Sequence, residues 1–328
     1  MKERVLITGA SGFVGYHLIE EALKNNLEVF AAVRKSSKTD HLKHFDIQYT
    51  YPDFTDVAAL KKELTEKKYD YIIHAAGITK ARSKKEYELV NAGYTHNLAL
   101  ASLQSGIKLK KLVLISSLAA IGPLNSLTGI ITAETTPRPV TAYGTSKLHA
   151  EENLKAFSSL NYTILRPTGV YGPRDRDIFI FFKQLAKGIE PYIGNMQQKF
   201  SFIYVTDVAK AAIKALHAGN KKAYNLSDGN FYDRYELGNL AKEVLNLKTV
   251  KFHLPVNFVK LIATIAEKYS SLSNKASTLN VEKLNELMAV NWHCDIEDAK
   301  ADLGFYPGYN LKAGVRETLD WYKQHKWL

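Results

Sequence analysis

Four residues apart in "TAYGTSK" (141–147), Tyr143 and Lys147 share one face at the start of a helical stretch. A phenol and an ammonium so placed are either a solvated surface pair or a proton-transfer couple, and the spacing alone admits both. A second group is less ambiguous. In "RVLITGASGFVG", Gly9, Gly12 and Gly15 follow a strand-like run and open a helix. Gly9 permits a tight turn, Gly12 lets a pyrophosphate approach the backbone, and Gly15 lets helix and strand pack closely. The helix start at Ser11, Phe13 and Val14 then offers N–H groups and a positive dipole end to phosphate. Third, "AAVRKSSK" puts Val33 and Arg34 at the end of the second strand, where a carboxylate would hold a free ribose 2′-hydroxyl. The Arg34 guanidinium suits a 2′-phosphate instead, with Lys35, Ser36 and Lys38 as helpers. NADP(H) is therefore expected, NAD(H) being the alternative.

The elements that must position these residues are legible as an alternation. Strand-like runs "RVLIT", "EVFAAVR", "IQYTY", "YDYIIHAA", "KLVLISS" and "YTILRP" are separated by segments of helical periodicity. That pattern predicts an α/β fold, a doubly wound parallel sheet of Rossmann type covered on both faces. Beyond Pro167, "FSFIYV" and "AYNLSD" read as two more strands with a helix between them, and amphipathic segments follow near 257–270, 280–289 and 311–325. The expected division is a nucleotide-binding domain over 1–170, with a return segment near 200–228, and a smaller, mostly helical substrate lobe over 171–328. The segment "NFVKLIATIAEKY" is apolar on one side and carries lysines, and is expected to pack into that lobe's core.

Length and composition agree with this. A chain of 328 residues, 46% hydrophobic, can bury a large core. The start "MKERVLITGASGF" has no signal-peptide pattern, and no apolar run reaches membrane-spanning length, so a cytoplasmic protein without membrane contact is expected. Cys294, the single cysteine, excludes an internal disulfide. The net charge of +11 is spread without the aromatic interleaving of a nucleic-acid reader, and no nucleic-acid partner is expected. His74 reads as a packed strand residue, because no other His or Cys recurs at ligand spacing; no metal is expected.

The chain resembles the extended short-chain dehydrogenase/reductase family, also called the NAD-dependent epimerase/dehydratase family. The matching stretches are "TGASGFVG" (8–15), "PDFTD" (52–56), "HAAG" (74–77), "VNAGYTHNL" (90–98), "LISS" (114–117), "YGTSK" (143–147) and "LRPTGVYGPRDR" (165–176), over about the first 210 residues. The resemblance implies that Tyr143 is the general acid/base, with Lys147 lowering its pKa from the free value of about 10 and bonding the nicotinamide ribose. It implies that Ser117 holds the substrate oxygen, and that Ser116 lies nearer the cofactor and is the second choice for that role. It further implies that Asp53 and Phe54 flank the adenine, that Ala75, Ala76 and Gly77 line the phosphate and ribose path, and that Pro167 and Val170 touch the carboxamide.

Within the family, Leu118 and Ala119 follow Ser117 where sugar dehydratases carry an Asp–Glu pair, which disfavours dehydration. Ser201 stands where epimerases often place an arginine. With Arg34, this makes the chain look most like the dihydroflavonol reductase and 3β-hydroxysteroid dehydrogenase branch. The expected function is an NADP(H)-dependent oxidoreductase interconverting a ketone and a secondary alcohol. A nucleotide-sugar epimerase with tightly held NAD is the runner-up, and a non-catalytic nucleotide-binding protein a third reading. Thr79, Tyr171, Arg174 and Tyr204 are the candidates for the wall around a small-molecule substrate. A homodimer is expected through helices near 85–105 and 142–158, as in relatives.

Overall fold

The computed structural model describes residues 2–273 and 281–328. Its strands are β1 (Arg4–Thr8), β2 (Glu28–Ala32), β3 (Gln48–Thr50), β4 (Tyr71–His74), β5 (Lys111–Ile115), β6 (Tyr162–Pro167), β7 (Gly169–Tyr171), β8 (Ile189–Ile193), β9 (Lys199–Phe200), β10 (Phe202–Tyr204), β11 (Lys222–Leu226), β12 (Tyr232–Asp233) and β13 (Val250–Leu254). Its helices are α1 (Phe13–Lys24), α2 (Val57–Lys67), α3 (Lys84–Tyr87), α4 (Tyr94–Gln104), α5 (Ala142–Lys155), α6 (Asp177–Ala186), α7 (Val205–His217), α8 (Glu236–Leu245), α9 (Val256–Ser273), α10 (Val281–Leu287), α11 (Glu297–Leu303) and α12 (Leu311–Gln324). The helix expected over 280–289 is α10; residue 280 lies outside the described residues.

Seven strands form one parallel sheet in the order β11-β6-β5-β4-β1-β2-β3. Apolar runs such as "KLVLI" and "YTILRP" are buried along their whole length, as parallel strands covered on both faces must be. Alternate residues serve opposite sides. Val5 and Ile7 join a core with Leu18 and Ile19 of α1 and Val208 and Ala212 of α7. Leu6 joins another with Leu60 of α2, Leu98 of α4 and Leu154 of α5. The chain thus covers both faces, and the strand order reverses between β1 and β4, leaving a crevice at their carboxyl ends.

"FSFIYV" and "AYNLSD" part company in space. The first supplies β10, paired with β7 outside the main sheet, while the second supplies β11, the seventh main strand. A third core lies beyond the sheet edge, where Tyr171, Phe182, Tyr204, Leu240, Leu311 and Tyr322 pack together. Among the described residues no helix is long and apolar enough to cross a membrane.

The expectation for "NFVKLIATIAEKY" is met on one side only. In α9, Val259 and Ala263 are buried, but Phe258, Leu261, Ile262 and Ile265 face outward. Core packing needs one narrow stripe of this helix, and the wider apolar face exceeds it.

Candidate active site

Local capping fixes where the helices begin. Thr141 accepts from the Gly144 N–H at 3.0 Å and starts α5 so that Tyr143 lies in its first turn and Lys147 one turn later. Gly12 precedes α1 without a side-chain cap, and the first turn carries no acidic residue. Its N–H groups therefore meet neither a competing side-chain acceptor nor a repelling carboxylate, which suits phosphate. Gly9 has φ +67°, and a Cβ there would meet the Ala75 carbonyl oxygen at 2.6 Å. A Cβ on Gly15 would overlap the Gly9 carbonyl oxygen. The loops after β1 and β4 touch at the sheet's reversal point, and this close backbone packing requires glycine at both positions.

Ser117 and Tyr143 are brought near each other: the Ser117 hydroxyl favours the Tyr143 phenolate, and it accepts from the Ala119 N–H at 3.1 Å. Burial pushes Tyr143 up to about 12, with the Ser117 hydroxyl pulling it down and the carboxylate of Glu286, from α10, pushing it further up. The expected lowering by Lys147 does not appear in this balance, whose largest influence is withdrawal from water. Lys147 is buried and donates to the Ile115 carbonyl at 2.9 Å. Burial draws its ammonium down to about 8, and the Glu151 carboxylate opposes that. A Cβ on Gly77 would sit 3.3 Å from Lys147 Nζ, so the lysine lies against the loop after β4.

Ser116 is committed elsewhere. Its hydroxyl donates to Glu151 at 2.6 Å, and Arg166 of β6 grips the same carboxylate through Nε and Nη2 at 2.9 and 2.6 Å. This fully buried network escaped sequence reading, because its members lie on three separate elements. Asn91 escaped it too, although it stands within "VNAGYTHNL". A π-helical turn, Glu88–Gly93, joins α3 to α4 and turns Asn91 inward. There it accepts from the Ile78 N–H at 2.9 Å and donates to the Ile78 carbonyl and Ser146 hydroxyl.

The other expected cofactor contacts ring the crevice. Arg34 and Lys35 are exposed just past β2. Asp53 is exposed and accepts from Thr55, while Phe54 stacks on Tyr94 at 5.6 Å and leans on His74. Ala75, Ala76 and Gly77 follow β4, Pro167 ends β6, and Val170 lies in β7. His74 bonds Thr8 Oγ1 at 2.8 Å; burial, then Lys147, lowers it to about 3, so it is a neutral strand residue. Among the described residues no group of three or more His, Cys, Asp or Glu could hold a metal ion.

The four residues expected to wall the substrate do not gather. Thr79 is exposed, and its carbonyl accepts from Tyr87, whose ring lies 6.2 Å from that of Tyr143. Tyr171 and Tyr204 are buried in the third core, 5.6 Å apart, because their rings fill the space beneath α12. Arg174 reaches back to α1, its guanidinium 3.9 Å over the Tyr16 ring and 5.4 Å from Trp321. Nothing in their sequence setting separates these buried or diverted positions from open ones.

Residues 5–227 match the NAD dependent epimerase/dehydratase family. The chain is 25% identical over 326 residues to a ceramide reductase of Caulobacter vibrioides, covering 99% of this chain and 96% of that one. It is 29% identical to a sterol-4-alpha-carboxylate 3-dehydrogenase of Candida albicans, covering 97% of both. A UDP-glucose 4-epimerase of Thermotoga maritima, solved with UDP-glucose, superposes with a TM-score of 0.81 at 21% identity, over 98% of this chain and 99% of that one. The chain belongs to the NAD-dependent epimerase/dehydratase family and is an NAD(P)-dependent enzyme of the extended short-chain dehydrogenase/reductase type.

Proposed function

We propose that the protein is an NADP(H)-dependent oxidoreductase that interconverts a ketone and a secondary alcohol. The observation that carries this reading is the Ser117–Tyr143 hydroxyl pair, with the buried Lys147 one turn away against the loop after β4. When bound, the nicotinamide supplies or accepts the hydride. Tyr143 gives its phenolic proton to the carbonyl oxygen, and Ser117 donates a hydrogen bond to the same oxygen as negative charge develops there. A Tyr143 pKa of about 12 suits a group that keeps its proton until the oxygen demands it. Lys147 serves the phenolate left behind and the ribose. Gly9, Gly12 and the first turn of α1 would hold the pyrophosphate, and Arg34 the 2′-phosphate.

Tyr143→Phe keeps the ring and removes the donor. With a ketone panel and NADPH absorbance as readout, turnover is expected to fall about a hundredfold or more with NADPH affinity retained. Full activity in the variant would refute the assignment. Cofactor choice is tested by Arg34→Ala, which is expected to lose NADPH affinity selectively; equal affinity of the parent for NADH and NADPH would refute it.

A nucleotide-sugar epimerase is the competing reading, favoured by the likeness to UDP-glucose 4-epimerase. Against it, Ser201 is buried and bonded to the Asn230 carbonyl, Arg174 is stacked on Tyr16, and Arg234 is spent on the Ile193 and Met196 carbonyls. A sugar diphosphate would find the Arg174 and Arg234 guanidiniums already engaged, which leaves the exposed Arg176. NAD released from the denatured protein would favour the epimerase. We also propose a homodimer through α4 and α5, which light scattering tests against the 36.9 kDa monomer.

A further inference from the structure

The outer face of α9 is apolar in a regular way. Phe258, Leu261, Ile262 and Ile265 follow i, i+3, i+4, i+7 spacing, and each is roughly half exposed, from 43% to 58%. The preceding strand continues the feature: Val250 is 72% exposed, and its cross-strand neighbour Ile189 is exposed beside it. The helix has already met the protein with Val259 and Ala263, so the outward stripe answers no need of the fold.

Its charge setting is one-sided. From Val244 to Ala266 the chain has no Asp or Glu, while Lys248, Lys251 and Lys260 are exposed along it. The nearby carboxylate that pairs with Lys251, Glu190, is buried. An apolar helical stripe with lysines at its flanks, on a chain of net charge +11, is the pattern of a helix that lies in a lipid interface. A second copy fits the stripe less well, because it would bring the exposed Lys248, Lys251 and Lys260 of both copies to one contact.

We propose that this face, the outward side of α9 with the adjoining edge of β13 and β8, docks reversibly on an anionic phospholipid surface. The apolar side chains enter the acyl boundary, and the lysine stems lie along it with their ammonium groups at the phosphates. The docked helix packs on α10, whose Glu282 accepts from the Ala142 N–H at 2.8 Å, the residue before Tyr143. α10 thus links the docked helix to the start of α5. The proposal concerns a surface and stands independently of the reaction assigned above.

The test uses the full chain with vesicles of equal parts phosphatidylcholine and phosphatidylserine, and with vesicles of phosphatidylcholine alone. Cosedimentation is expected with the anionic vesicles, falling with added salt, and to be much weaker with the neutral ones. Leu261→Asp combined with Ile265→Asp should weaken it at least tenfold while keeping the parent's unfolding transition. Lys260→Glu should weaken it by about fivefold or more. A parent that stays in the supernatant with anionic vesicles overturns the proposal, as does a double variant that binds like the parent. A parent dimer that Leu261→Asp dissociates, without vesicle binding, assigns the face to a second copy and overturns it. So does binding to polyglutamate that matches anionic vesicles and ignores the double substitution, which assigns it to an acidic polypeptide.

Discussion

Lys147 is the residue whose setting has the clearest consequence for pH. Burial brings its ammonium down to about 8, so NADPH affinity is expected to weaken as pH rises through that value, read by titration at several pH values. Stability moves the other way. Between about 8 and the unfolded value of about 10.4, the unfolded chain holds a proton that the native one lacks, so stability attributable to Lys147 rises with pH. Denaturation of the parent and of Lys147→Met across that window checks the sign, since the variant should lack the rise. Glu151 is a positioning residue here, acting through Lys147. Glu151→Gln should shift the alkaline fall in NADPH affinity to lower pH, an effect that loose packing alone would not produce, and should cost about 3–5 kcal/mol by stranding Arg166. Sequence revealed Tyr143 and Lys147 because a helix makes four-residue spacing meaningful. It could not reveal Glu151 with Ser116 and Arg166, whose meeting depends on how α5 lies across β5 and β6.

At the scale of elements, the close packing of β1 against α1 is the sharpest constraint. The Cβ of Gly15→Ala would overlap the Gly9 carbonyl oxygen, a backbone atom with nowhere to retreat. This variant is expected to lower the unfolding midpoint and abolish nucleotide binding together, as calorimetry and fluorescence titration would show. A variant of normal stability and affinity would contradict the packing. Strands were legible from their apolar runs; the caps Thr141 and Asp56, which accept backbone N–H groups, emerged only with the structure. The π turn at Glu88–Gly93 was not legible either, since a widened turn has the same residue types as the helix around it. Nor did periodicity show that α9 would bury only a narrow part of its apolar face. Periodicity gives a stripe, and only the neighbours decide whether it is covered.

For the whole molecule, Asp207 is a tie between distant parts. Fully buried in α7, which packs on the sheet, it accepts from the Gly308 and Tyr309 N–H groups at 2.9 and 3.0 Å and pairs with Lys210. Asp207→Ala leaves two backbone donors without their acceptor and is expected to cost on the order of 2–4 kcal/mol, seen as a lower denaturation midpoint. The parallel sheet and the phosphate cradle were readable because they depend on local pattern. The third core was not, since Tyr171, Tyr204 and Tyr322 come from segments with no shared period.

The sheet is finished late in the chain. β6 ends at Pro167, and its outer neighbour β11 begins at Lys222, roughly 55 residues on. At the ribosome, about 5–20 residues are added each second, so a nascent chain carries β6 as a bare edge for several seconds while β7 to β10 and α7 emerge. A bare parallel strand this apolar can capture its like on another nascent chain. Chains stalled once Val170 has cleared the exit tunnel should therefore be more sensitive to protease and more strongly held by chaperones than chains stalled once Leu226 has cleared it. The rate of translation between β6 and β11 thus sets how long this apolar edge is left open.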